Sequence, residues 1–510
     1  MSLTRFDFTR RNAYAGYVST LVTVILGFIA RTIFIRELGN SYVGVHALFA
    51  NVLGVLSFVE LGIGAAMSYS LYRPIANGET EKVRAFARFY RGVYRIIALL
   101  VTLIGLAILP FIPMLAQGSE DLGDLQLYYV LFLASNVLSY FAVYKTTIVQ
   151  ADQRMYIVMN IRTAASVVVQ SGQIAFLLLG GDYLTFLVVM LIGRLAEQLF
   201  LNIYLSRRYA DFLKAPNANL AAEDLDPVRK NVRALIWHKI GEIGVHQSDA
   251  IIIAAFIDVT TLGLISNYNL VINSITMFLT VTLTAAVGSF GNSIATSAPA
   301  DVYRNFKIYR LAVFWIYGLA TIGMFVLLSP FVILWIGEEM TVSNTVILAI
   351  MINLYLSGHR AAIVSVKSAG GVWAQDKYLP LIQTVVNLVV SIVLVQIVGL
   401  VGVFIGTIVQ GVIANVVRPI IVYPLVFEAR PVEYFIDGIR YAIALVVAGA
   451  VPVTLIYSGT WTVGSWWSFT FAGIAIVLWV SLTFAAFFAR RPEGQALRTR
   501  FRVFPPRTGA

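Results

Sequence analysis

The residues best placed to do chemistry are His238, Glu242, His246 and Asp249, spaced 4, 4 and 3 apart, with Lys239 beside them. That spacing puts the polar groups on one face of a helix whose other positions are apolar. Four histidines, scattered along the chain, are too few for a convincing metal site, and the absence of cysteine excludes thiolate ligands, thiol nucleophiles and disulfides. The face suits a group that takes up a proton or Na⁺, or one that faces a water-filled cavity. The plainer alternative is an i,i+3 ion pair of Lys239 with Glu242 and a contact of Asp249 with a neighbouring helix. Glu60 is a further acid in apolar surroundings, unpaired by sequence. Glu60, Glu242, His246 and Asp249 are therefore the candidates for ion coupling, because a desolvated carboxylate can shift its pKa into the physiological range.

A second group is basic: Arg31, Lys145, Arg162, Lys239, Arg360 and Lys367. Hydrogen-bonding stripes accompany it, namely Tyr140 and Tyr144, then Ser166, Gln170 and Gln173, then Asn353 and Ser357, then Gln383, Asn387 and Ser391. Ammonium groups and guanidinium forks suit a phosphate, while amides and hydroxyls suit a sugar. An amphiphile whose head combines the two is the ligand that such a set would take. For Arg31 the alternative is snorkelling to the outer surface, and for the uncharged stripes it is gluing helix to helix. Arg194 and Glu197, at i,i+3, read as an internal ion pair. No phosphate-cradling loop is visible: Gly370-Gly371 lacks the lysine pattern, and ELGIG at 60–64 follows no strand. Neither a cofactor nor energy from ATP hydrolysis within the chain is expected.

These residues sit in 510 positions of which 59% are hydrophobic and 12% charged, with mean hydropathy +0.82. Such a chain lacks the polar surface for a water-soluble fold of this size and reads as an all-α polytopic membrane protein. About fourteen spans are expected, at 14–35, 45–70, 95–116, 127–149, 157–179, 184–205, 235–256, 262–289, 309–333, 345–366, 380–398, 400–427, 439–458 and 466–489. The net charge of +11 would suit nucleic acid, but 33 of the 37 basic residues fall on one side of the spans. The excess is thus topology, with both termini in the cytoplasm.

The chain also repeats itself. A shift of 219 residues lays Gly44 over Gly263 and RFYR at 88–91 over KIYR at 307–310; further on, with the offset drifting between 217 and 224, Lys145 falls over Lys367 and ADQRMY at 151–156 over AQDKY at 374–378. Six spans per copy give both copies the same orientation. The expected organisation is a six-helix lobe at 1–205, a cytoplasmic linker at 206–233, a second six-helix lobe at 234–428, two accessory helices within 429–489 and a basic cytoplasmic tail at 490–510. Two pseudo-symmetric bundles around a central cleft are the architecture of alternating-access transporters. A membrane-embedded polymerase or glycosyltransferase is disfavoured, because the longest outer loop, around 116–126, is only about eleven residues.

The stretches at 35–79, 231–253, 263–275 and 369–395 resemble the polysaccharide-repeat-unit flippases of the Wzx type, relatives of the lipid II flippases and multidrug exporters in the MOP superfamily. The resemblance covers roughly 10–427. It implies a two-lobed, MATE-like fold, and a cargo of polyprenyl-pyrophosphate-linked oligosaccharide turned from the inner to the outer leaflet of the bacterial cytoplasmic membrane for surface polysaccharide synthesis. Membrane lipids, a polymerase and other polysaccharide-assembly proteins are the partners such a cargo implies. The family's first-helix arginine falls on Arg31, after LGF at 26–28, and its seventh-helix lysine and aspartate fall on Lys239 and Asp249. In lipid II flippases an acid typically follows that arginine. Here Thr32 follows, which argues against lipid II as cargo. Cation-coupled export of drugs or small amphiphiles on the same fold is the alternative.

Overall fold

A computed structural model describes residues 5–60, 63–214, 220, 223–226, 228, 241, 244 and 247–500. Among them every regular element is helical. The main helices are α1 (Arg5–Leu38), α2 (Asn40–Leu56), α3 (Ile63–Ala76), α4 (Thr80–Ile108), α5 (Leu125–Leu138), α6 (Val143–Ala151), α7 (Tyr156–Leu178) and α8 (Tyr183–Arg208). After them come α9 (Gln247–Phe256), α10 (Val259–Thr296), α11 (Pro299–Ile336), α12 (Asn344–Ala369), α13 (Leu379–Val398), α14 (Leu400–Val422), α15 (Val432–Tyr457), α16 (Trp466–Phe488) and α17 (Pro492–Arg500). Twelve described helices are long and apolar enough to cross a membrane, and a thirteenth span forms if the pair 125–141 and 143–151, bent by 43°, is one crossing. The remaining expected span, 235–256, lies in part outside the described residues, and α9 is its described end. The chain is a multi-pass membrane protein.

Two compact units divide the chain, Met1–Gly263 and Leu264–Ala510. In the first, α1 lies along α7, α7 along α8, and α3 against α4 and α6. Ser19 and Thr163 hydroxyls meet at 2.7 Å, and the Asn12 side chain ties the start of α1 to the 153–156 turn through the Gln153 carbonyl and the Tyr156 N–H. Carboxylates cap two helices on the side opposite the basic residues: Asp124 accepts from the Leu127 N–H and Asp182 from that of Thr185. Those bonds, with one from the Thr185 hydroxyl, hold the Asp182 carboxyl below its usual range.

The tightest approach in this unit pairs repeat-equivalent residues. A Cβ on Gly44 would lie 1.6 Å from the Val259 carbonyl oxygen, and one on Gly263 would lie 2.3 Å from that of Asn40. Only glycine lets these backbones come so near. Asn40 Nδ2 then donates to the Thr260 carbonyl at 2.8 Å, and the Ser41 and Thr260 hydroxyls stand 2.8 Å apart.

In the second unit the 38-residue α11 carries α12 on one side and α15 and α16 on another. Leu311, Phe314, Ile322 and Val326 of α11 bury against Tyr441, Ala444, Ile476 and Phe484. The two helices beyond the repeat are therefore built into this unit's core. α13 and α14 form the closest helical hairpin: Gly402 and Gly406 let the helices touch, and a buried ladder runs Gln383 to Gln410, Asn387 to Thr407 and Ser391 to the Val403 carbonyl. The stripe Gln383, Asn387, Ser391 is thus helix glue, each bond contributing about 0.6 kcal/mol in a membrane setting. Pro419 stays within α14, which gives way to a π-helical turn over Tyr423–Phe427, where Pro424 sits.

Candidate functional site

Lys145 opens α6, just past the bend at Ser139–Phe141, and only 6% of it is exposed. Its ammonium donates to the Asn202 side-chain and main-chain oxygens and to the Ser206 hydroxyl, all on α8. These acceptors are neutral, so the charge is solvated by dipoles and keeps its full sign. Beside it lies an open cavity lined by Arg91, Tyr94 and Arg95 of α4, by Tyr140 and Tyr144, and by Asn202. At its edge Tyr94 donates to Glu60 Oε1 at 3.0 Å. Glu60 closes the short 3-10 turn after α2 and makes no ion pair among the described residues. Glu60 and Lys145, singled out separately in the sequence, thus each bond a residue that lines the cavity, Tyr94 and Asn202.

Arg162 reaches Glu197 Oε1 at 3.7 Å from α7, and Arg194 reaches Glu197 Oε2 at 2.9 Å from within α8. The expected Arg194–Glu197 pair is present, and Arg162 joins it. Two guanidinium groups on one carboxylate leave one positive charge over.

The second unit repeats that arithmetic. Lys367, 4% exposed at the end of α12, bonds Asp376, which is 3% exposed, and Arg418 of α14 approaches the same carboxylate oxygen at 3.8 Å. The Lys367 ammonium also lies over the Trp373 ring, 4.7 Å from its centre. Lys145, which the sequence comparison lays over Lys367, turns toward α8, whereas Lys367 turns to the 373–376 stretch before α13. Arg360, two turns earlier on α12, has only the Ser357 hydroxyl at 3.4 Å and the Gly411 carbonyl at 3.5 Å as close partners. It has no acidic partner among the described residues.

Arg31 lies half-buried on α1, within electrostatic range of His46, whose ring sits among Phe34, Phe132, Tyr183 and Phe186. Glu37, the nearest acid in sequence, pairs with Arg36 at 3.8 Å. Asp249 is half-buried on α9. Lys239, Glu242 and His246 lie outside the described residues. Among the described cations, Lys145 stands with the cavity, Arg162 with Arg194, and Lys367 with Arg418, whose charge also reaches Arg360.

Sequence reasoning passed over three members. Arg91 and Arg95 counted as topology determinants and Tyr94 was not singled out, although the i,i+3 and i,i+4 spacing in RGVYR at 91–95 places them on one face. Arg310, also counted as topology, is 2% exposed; its guanidinium stacks on Tyr434 at 3.7 Å, donates to the Tyr434 carbonyl at 2.7 Å and meets His359 at 3.3 Å. An arginine at the repeat-matched place of Arg91 was the available signal.

A profile described as "Polysaccharide biosynthesis protein" matches residues 9–288, more than half of the chain. Among curated proteins, none matches the sequence. Among solved structures the chain is similar to "Lipid II flippase MurJ, inward closed conformation", at TM-score 0.61 and 14% identity, covering 93% of this chain and 99% of that one. It is also similar to an inward-facing "multidrug resistance MATE family transporter of the MOP superfamily", at TM-score 0.59 and 16% identity, covering 83% and 95%. A third similarity is to the MATE multidrug transporter DinF-BH, at TM-score 0.56 and 14% identity, covering 83% and 97%. Identities this low speak for the fold, while the profile match speaks for the family. The chain belongs to the polysaccharide biosynthesis protein family and carries a MATE-like fold.

Proposed function

We propose that the protein turns a polyprenyl-pyrophosphate-linked oligosaccharide from the inner to the outer leaflet of a bacterial cytoplasmic membrane by alternating access, for surface polysaccharide synthesis, with both of its termini in the cytoplasm. It acts as a transporter rather than an enzyme. The carrying observation is the surplus of positive charge at the cation groups of both units. Lys145 has neutral acceptors only, Arg162 and Arg194 share Glu197, Lys367 and Arg418 meet at Asp376, and Arg360 has a hydroxyl and a carbonyl. Burying cations without matching acids is costly, and an anionic cargo passing among them offsets that cost. Polymerase and other assembly proteins that consume the delivered unit are the partners this function requires.

Arg31 supplies the test. If its fork holds the pyrophosphate, Arg31→Ala abolishes surface polysaccharide in a complementation assay at normal protein level, and Arg31→Lys restores only part, because an ammonium lacks the bidentate geometry. Losing one such contact is worth on the order of 2–4 kcal/mol, roughly thirty to a thousandfold in binding. Full activity of the alanine variant at native expression removes Arg31 from the site.

Cation-coupled export of small amphiphiles is a second reading, favoured by Glu60, which takes a tyrosine hydroxyl but no ion pair among the described residues. Under it, Glu60→Gln abolishes dependence of transport on a proton or Na⁺ gradient in proteoliposomes. Transport that ignores both gradients in the wild type eliminates it.

A further inference from the structure

The cavity beside Lys145 differs from its repeat counterpart in one respect. Arg91 corresponds to Arg310 through RFYR and KIYR. In the second unit the Arg310 guanidinium is covered by α15: the Tyr434 ring lies at 3.7 Å and the Tyr441 ring at 5.2 Å, and the Tyr434 carbonyl accepts at 2.7 Å. Among the described residues no helix covers Arg91 as α15 covers Arg310. Arg91 and Arg95 are exposed, and neither has an acidic partner among the described residues. Both charges act on Tyr144, and that of Arg91 acts on Lys145. Two cations thus line one opening, and a third, Lys145, is held behind it by Asn202. The three donors of Lys145 are taken by Asn202 and Ser206, so it supplies charge, while the two guanidinium forks remain to bind.

What fills the opening follows from its surroundings. Immediately past Arg95, α4 turns outward a continuous apolar face of Ile96, Leu99, Leu103 and Leu106, and Phe141 is exposed at the cavity itself. The basic end of α4 lies on the side that the charge distribution assigns to the cytoplasm. A ligand here meets cations at one end and hydrocarbon-facing side chains at the other.

We propose that this cavity binds the phosphate of an anionic phospholipid from the cytoplasmic leaflet, gripped by Arg91 and Arg95 over the buried charge of Lys145, in the place that α15 fills in the second unit. The acyl chains run along the outer face of α4. The site rests on the membrane setting and on the cavity alone, not on the identity of the cargo.

Native mass spectrometry of the full chain in detergent, titrated with phosphatidylglycerol, tests it. The wild type retains phosphatidylglycerol more tightly than diacylglycerol, which lacks the phosphate. R91Q/R95Q weakens retention about 25-fold, fivefold for each arginine. R84Q/R88Q, which removes the same charge from the same helix away from the cavity, stays within about threefold of the wild type. R91K/R95K, which keeps the charge and controls for folding, recovers part of the loss because ammonium lacks the fork. Equal retention by wild type and R91Q/R95Q, or equal losses in the two glutamine pairs, overturns the site. Displacement of phosphatidylglycerol by equimolar inorganic pyrophosphate overturns the lipid and assigns the cavity to a soluble anion. None of these readouts involves transport, so failure here leaves the proposed cargo standing, and failure of the Arg31 test leaves this site standing.

Discussion

Replacing Asp376 with asparagine would keep its shape and remove its charge, leaving Lys367 and Arg418 facing a neutral amide in a nearly dry place. Side-chain exposure there is 5% for Lys367, 15% for Arg418 and 1% for Asp376. At an effective dielectric near 20, the 3.8 Å approach of Arg418 to the carboxylate alone is a gross attraction of about 4 kcal/mol. Lys367 stands closer still, but desolvation has consumed much of both terms. The expected net loss for Asp376→Asn is therefore that of a buried pair deprived of one partner, roughly 3–5 kcal/mol. Thermal challenge of the detergent-solubilised chain followed by size exclusion reads it as a midpoint several degrees lower. The diagnostic comparison is Asp376→Asn combined with Lys367→Met. If the damage comes from an uncompensated cation, the double variant melts above Asp376→Asn despite carrying one substitution more. A double variant that melts at the sum of the two single losses would refute the reasoning, as would Asp376→Asn melting with the wild type.

Gly406→Val would place a Cβ where 2.1 Å separates it from the Ser391 hydroxyl, prising α13 from α14, at about 1–3 kcal/mol by overpacking. Recovery of monodisperse protein should fall, while Gly92→Ala on α4, with open space around it, should leave recovery unchanged or improved. Arg310→Met would remove the guanidinium that bonds the Tyr434 carbonyl, costing about 1.5–3 kcal/mol. Hydrogen exchange should then rise along the first turns of α15 and leave α4 untouched; unchanged protection in α15 would show that its apolar contacts suffice.

Spans are legible in sequence because lipid demands long apolar runs, and the structure returns nearly all of those expected. The polar stripe Gln383, Asn387, Ser391 was legible as a face, and its partners were not, since Gln410, Thr407 and the Val403 carbonyl become neighbours only when Gly402 and Gly406 let the helices touch. Isolated cations were found by their rarity in apolar segments. Their acids were harder: Asp376 stands nine residues from Lys367 in a polar turn, where a carboxylate is unremarkable until the fold buries it. Arg91, Arg95 and Arg310 were hidden for a related reason. A basic residue at the end of a span satisfies topology, and that sufficient explanation masks any second role.

The crossing at Gly44 and Gly263 has a consequence for which changes the chain can accept. A residue that packs beside its own repeat counterpart forms an isologous contact, the kind that two identical chains make about a twofold axis. Asn40 and Ser41 reaching Thr260 keep that self-complementary character within a single polypeptide. The two sides of the crossing are therefore not free to change separately at this spot. A side chain gained at either glycine collides with the backbone opposite, so each side holds the other to glycine.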